Sequence, residues 1–225
     1  MSDTDGFIEE VTEEVRKDQL YGYFKKYGWI AGLLVVIAVG GAAYSEWSKS
    51  KATKEARERG DAISAALRQE TVEAQVAALD ALSATSSDTS AVMVFQKAAI
   101  LVGDGQNDAA FAALMAISND ENTSHVYREM ALLKALIIGG KNMDQAERMA
   151  SLSELAVAGG AFRQVAMEQI AVALLDAGDT SGALAQLNQL LVEPRITAEL
   201  RQRALQLLVS LGGEIPAQTQ LLSGN

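Results

Sequence analysis

Along most of the chain apolar residues recur at helical spacing, and polar breaks between them are short and rich in Gly, Asp and Asn. This pattern predicts helices joined by tight turns. At the front, Phe7, Ile8, Val11 and Val15 mark one face of an amphipathic helix of about three turns, with Glu9, Glu10, Glu13, Glu14, Arg16 and Lys17 around the rest. A second apolar set, Leu20, Tyr21, Phe24 and Tyr27, leads into the stretch YGWIAGLLVVIAVGGAAYSEW from Tyr27 to Trp47. A long helix is predicted from about Ser48 to Arg68, then TVEAQVAALDAL from Thr71 and a Ser/Thr-rich loop from Ser83 to Ser90. The last helix opens after Pro194 in TAELRQRALQLLVSL, with Thr197 as N-cap and Gly212 as stop.

The stretch from Tyr27 to Ser45 carries no charge over about 19 residues, close to the ~20 needed to cross a ~30 Å hydrocarbon layer as a helix. Tyr27 and Trp29 at one end, and Tyr44 and Trp47 at the other, are the amphipathic rings expected at headgroup level. A cleaved signal peptide would need a short basic start, whereas an acidic lead of about 26 residues precedes this run. The expectation is an uncleaved membrane anchor over residues 27–47, an amphipathic segment over 1–26 and a separate domain over 48–225. Basic residues flank both ends: Lys25 and Lys26 before, Lys49, Lys51 and Lys54 after. Charge alone leaves direction open, with a slight tilt toward an inside N-terminus.

Three breaks in the following domain look alike: GDGQNDAAFAAL from Gly103, GGKNMDQAERMASL from Gly139 and AGDTSGALAQLNQL from Ala177. Each ends one helix and opens another on a small residue, Ala110, Ala146 or Ala183, spaced by about 36 to 37 residues. In that register Leu101, Ile137 and Leu174 match in the first helix, and Leu114, Ala150 and Leu187 in the second. A helical-hairpin solenoid follows, each unit burying its apolar face on its neighbours.

Composition agrees with an all-α protein: 49% apolar, 5% aromatic, two prolines and abundant alanine and leucine. No cysteine is present, which excludes disulfides, thiolate chemistry and thiolate metal sites. After Gly60 about 19 acidic residues face about 10 basic ones. That balance argues against nucleic acid as a partner.

The unit length and the small residue opening each second helix resemble the tetratricopeptide-repeat class, although the Trp, Tyr and Pro usual in those repeats are mostly missing and only Pro194 stands near its place. With the short N-terminal stretch, one span after FKKYGW and an acidic repeat domain, the whole chain resembles the single-pass tetratricopeptide-like proteins related to the ancillary subunit of the bacterial SecYEG translocon. The resemblance implies an inner-membrane protein with a cytoplasmic N-terminus and a periplasmic domain. Such a protein assists secreted proteins in company with the translocon and periplasmic chaperones. The alternative is a stoichiometric accessory or assembly subunit of another inner-membrane complex, for example a respiratory one.

No enzyme signature emerges, and no catalytic, cofactor or metal-binding residue is assigned. His125 has neither a cysteine nor a second histidine to share a metal, and Asp104, Asn107 and Asp108 lack the alternation and distal glutamate of an EF-hand. GGKN at Gly139 lacks the spacing and hydroxyl residue of a P-loop. The surface such solenoids use for peptides or proteins is lined by the first helix of each unit. By repeat phase, Phe95, Arg128, Ala131 and Glu168 are the candidates to point there; the alternative is core packing for Phe95 and an ordinary solvated face for Arg128 and Glu168.

Overall fold

The computed structural model describes the backbone of residues 3–215, and the side chains within that range other than those of residues 3–28, 31, 32, 34, 35 and 38. Helices are the only regular secondary structure among the described residues, with no strand. The chain divides into two units, residues 1–61 and 62–225. Helix α1 (Asp3–Leu67) provides the first, and its residues 62–67 belong to the second.

Among the described residues no helix is long and apolar enough to cross a membrane. The predicted span draws much of its apolar character from Ala31, Leu34, Val35 and Ala38, which lie outside the described side chains, as do Tyr27 and the faces of the amphipathic segment 1–26. Of the described side chains in that stretch, Trp29, Ile30, Leu33, Val36, Ile37 and Val39 are all exposed.

In the second unit α2 (Val72–Asp80) is followed by α3 (Ser87–Gly103), α4 (Asn107–Ser118), α5 (His125–Gly139), α6 (Gln145–Leu155), α7 (Arg163–Asp176), α8 (Thr180–Leu191) and α9 (Ala198–Ser210). Side-chain caps set the starts of α2, α3, α6, α8 and α9. Thr71 Oγ1 accepts from Ala74 N at 3.1 Å, and Thr197 Oγ1 accepts from Leu200 N at 3.3 Å. Ser86 Oγ likewise accepts from Thr89 N at 3.2 Å, so the second half of the predicted Ser83–Ser90 loop is the first turn of α3. Serine and threonine suit either a loop or an N-cap, and only the register of the following apolar residues separates the two.

Three core clusters run along this unit. The first joins α3, α4 and α5 through Ala98, Leu101, Ala110, Leu114 and Ala135. The second joins α5, α6 and α7 through Leu136, Leu152, Leu155 and Ile170. The third joins α7, α8 and α9 through Met167, Leu187, Leu190, Leu200 and Leu208. Every hairpin thus closes its core only with the first helix of the next, which is how stacked repeats gain stability.

The middle hairpin departs from the predicted register. Leu114, Leu152 and Leu187 are each a fully buried leucine of a second helix, 38 and then 35 residues apart. Ala146 and Ala150, expected to match Ala110 and Leu114, are exposed, and Ile137 is 50% exposed where Leu101 is 5%. For Ala146 and Ala150 the cause is a 3₁₀ turn, Gly140–Asn142, between α5 and α6. The other two turns use a left-handed glycine, Gly105 at φ 79° and Gly178 at φ 80°, and three linking residues. The 3₁₀ turn needs five, so everything after it is displaced by two positions.

At the displaced position stands Arg148, where the neighbouring hairpins place Ala110 and Ala183. Its side chain is 4% exposed, and Nη1 donates to Asp176 Oδ2 at 2.8 Å. Gly140 makes room for it: a Cβ there would stand 2.6 Å from Arg148 Nε.

Candidate protein-binding face

Helices α3 and α5 lie side by side, tied at their starts by Asp88, whose Oδ1 accepts from Ser124 N at 2.8 Å. The loop that delivers α5 is itself braced. Asp120 Oδ2 accepts from the buried Thr123 hydroxyl at 2.7 Å and Oδ1 from Asn122 N at 3.0 Å. These bonds, that from Thr123 foremost, hold the Asp120 carboxyl below its ordinary value.

On the paired helices Phe95 is half-buried and meets Tyr127 of α5, ring centroids 6.2 Å apart and tilted by 40°. Lys134, two turns along α5, places Nζ 5.9 Å from the Phe95 ring centroid. Phe95 therefore combines the two alternatives weighed for it: it leans on the first core cluster and keeps part of its ring in a small aromatic and cationic patch. Tyr127 and Lys134 were missed in the sequence because they belong to the next unit and are about one repeat away from Phe95. Their spacing of seven residues, which puts both on one face of α5, is the signal that finds them.

The other predicted contacts do not gather around Phe95. Arg128 is half-buried and lines a separate cavity of about 150 Å³ with Ser118 of α4 and Glu154 of α6. Ala131 is fully buried in the first core cluster and offers no surface. Glu168 is 8% exposed, and its carboxylate accepts from Arg203 Nε and Nη2, each at 2.9 Å, as a bidentate bridge from α7 to α9. A near-repeat phase assigns a helix face to within about a third of a turn, which is too coarse to separate a core alanine from a surface neighbour.

His125 is the first residue of α5 and is exposed, with Nδ1 3.5 Å from Glu129 Oε2. Among the described residues no group of three or more His, Asp or Glu converges as a metal site would require. In the first unit Tyr44 and Trp47 are exposed with ring centroids 6.2 Å apart, and Lys51 Nζ lies 5.8 Å from the Trp47 centroid. Trp29 is 68% exposed.

A second bridge ties the loops after α6 and α8. Arg163 Nη2 donates to Glu193 Oε1 at 2.7 Å and Nε to Oε2 at 3.1 Å, while Nη1 donates to the Ala156 carbonyl. The Arg163 hydrogen bonds hold the Glu193 carboxyl below its ordinary value. Because the folded value is depressed, the stabilisation from this pair is fully present above the ordinary glutamate range, about 4.3. It is lost as pH falls through the depressed value. A carbon-detected NMR titration should show Glu193 still ionised where exposed glutamates are half-protonated, and an ordinary midpoint would refute the bridge in solution. No protein-family model, no curated protein and no solved structure matches this chain.

Proposed function

We propose that the chain is a membrane-tethered protein-binding adaptor of the kind its sequence resembles. Residues 27–47 are the single span of a bacterial inner-membrane protein, the N-terminus is cytoplasmic, and the tetratricopeptide-like domain is periplasmic beside the Sec translocon. There the tether raises the local concentration of a binding surface around secreted clients or chaperones, so that weak individual contacts suffice. The activity is binding, without catalysis.

The observation that carries this reading is the contrast between the units. From Ala62 on, large aliphatic side chains fill three cores, whereas on α1 before Ala62 the described ones, Val36 at 67% and Ile37 at 60% among them, are exposed. A run of exposed large apolar side chains marks a surface made for lipid or for a partner. Tyr44, Trp47 and Lys51 sit where the span would meet headgroups, aromatic rings at the boundary and an ammonium beyond it. The patch of Phe95, Tyr127 and Lys134 supports the binding part of the reading, since aromatic residues are enriched in protein interfaces.

The chain has no cysteine, which allows a direct test of topology. Asp108→Cys in the full chain should react with a membrane-impermeant maleimide in intact spheroplasts, and Asp18→Cys only after lysis. A photocrosslinking residue at Ile37 should capture a translocon subunit. Labelling of the two cysteines in the opposite order would overturn the orientation. Adducts to a different membrane complex at constant ratio would overturn the translocon assignment in favour of a fixed accessory subunit.

A further inference from the structure

A cavity opens between the loop after α6 and the loop after α8, against the first turns of α7 and α9. Its volume is about 940 Å³, at the top of the range of ~300–1,000 Å³ for ligand sites. Its lining includes Gly159, Gly160, Arg163, Arg195, Leu200 and Arg203, and no aromatic residue. The lining holds three arginines against one acid, Glu193, in a region where acids outnumber bases by about two to one.

The three guanidinium groups are held differently. Arg163 is fixed by Glu193, and Arg203 by Glu168 while its side chain remains 55% exposed. Both bridges orient their arginines and leave further N–H donors free to point elsewhere. Arg195 is exposed and has no ion-pair partner among the described residues. It is also the one non-glycine residue among them with positive φ, at 65°. That conformation is unfavourable for a side chain with a Cβ, and glycine would hold it without strain. The chain therefore spends strain on a cation that no ion pair among the described residues uses, in the lining of this cleft. Strain of this kind clusters at active sites, ligand clamps and switch regions.

We propose that this cleft binds a partner polypeptide through an extended segment bearing carboxylate side chains. Planar guanidinium groups recognise carboxylates through paired N–H donors, and the small residues of the Ala158–Ala161 loop let a peptide backbone approach closely. The uncapped first turn of α7, whose N-cap residue Phe162 provides no side-chain acceptor, adds favourable potential at the same place. A flat heterocyclic ligand would find no aromatic surface to stack on. The net charge of the domain opposes a nucleic acid approaching it, whereas a short acidic segment needs only the cleft.

The inference rests on the protein-binding reading above but is tested apart from it. The full chain in detergent micelles is titrated into a fluorescein-labelled Gly/Ser peptide carrying several aspartates, and into the same peptide with asparagines. The acidic peptide should bind about tenfold more tightly or better, and its affinity should fall as ionic strength rises toward about 0.15 M. Arg195→Gly should weaken it about fivefold to tenfold, the scale of one charge-assisted contact, while raising the thermal midpoint by about 1–3 °C through relief of the left-handed backbone. Equal binding of the two peptides, or full acidic-peptide affinity in Arg195→Gly, would overturn the proposal. So would displacement of the peptide by a single-stranded oligonucleotide at lower concentration. Failure of the Ile37 crosslink would remove the translocon assignment and leave this result standing.

Discussion

Asp176→Ala should destabilise the second unit by about 3–5 kcal/mol, among the largest effects of any single substitution in the chain. Arg148 is 4% exposed, its Nη1 is bonded to Asp176 at 2.8 Å, and its Nε has no partner. Removing the carboxylate strands a buried guanidinium and leaves Lys141, a charge of the same sign that lies 3.6 Å from Asp176 Oδ1, without that shared partner. The converse change is mild. Asp176 is 27% exposed and keeps both water and Lys141, so Arg148→Ala loses packing and little else. The double substitution should recover most of the loss, because Ala110 and Ala183 occupy the corresponding positions in the flanking hairpins. Chemical denaturation of the four proteins gives the coupling directly. Additive effects, or an Asp176→Ala cost under about 1 kcal/mol, would mean that Arg148 reaches solvent.

Leu187→Ala is expected to cost about 2–5 kcal/mol, the range for truncating a fully buried leucine. Leu187 is 0% exposed in the cluster that joins α7, α8 and α9. Those three helices would have to move together to close the void, and α7 and α9 are already tied by the bridge from Arg203 to Glu168. In a chain of this size the thermal midpoint should fall by about 5–15 °C. Val209→Ala on α9, at a site 53% exposed, should stay within about 0.5 kcal/mol of the parent. Comparable losses at both sites would contradict the assignment of Leu187 to the core.

The middle hairpin shows how far a repeat pattern can be read from letters. The glycines after α3 and α7 announce themselves, since a helix that stops at a left-handed residue needs one. Gly139 and Gly140 resemble them in sequence but serve close packing instead, against Phe111 and Arg148. Nothing local separates a glycine chosen for its backbone from one chosen for its missing side chain. The two-residue displacement at Gly140–Asn142 follows from that ambiguity, and with it the misplacement of Ala146 and Ala150.

Candidate contacts were legible to a different degree. Phe95 follows from repeat phase, but its neighbours Tyr127 and Lys134 belong to another helix and meet it only when α3 and α5 pack. The arginine-lined cleft left no local trace. Its cations come from α7, the loop before α9 and α9 itself, and each reads alone as an ordinary solvated residue.

By itself the sequence determined the helical class, the helix starts at Thr71 and Thr197, the alternation of hairpins and the apolar character of residues 27–47. These are decided by short-range forces: periodicity, capping bonds and the backbone freedom of glycine act over a few residues. Tertiary structure alone decided the register of the middle hairpin, the burial of Ala131 and Arg148, and the pairing of Glu168 with Arg203 across 35 residues. Each depends on which helix packs against which, and on what charge or volume the neighbour presents, and such information is held in the partner element rather than in the segment itself.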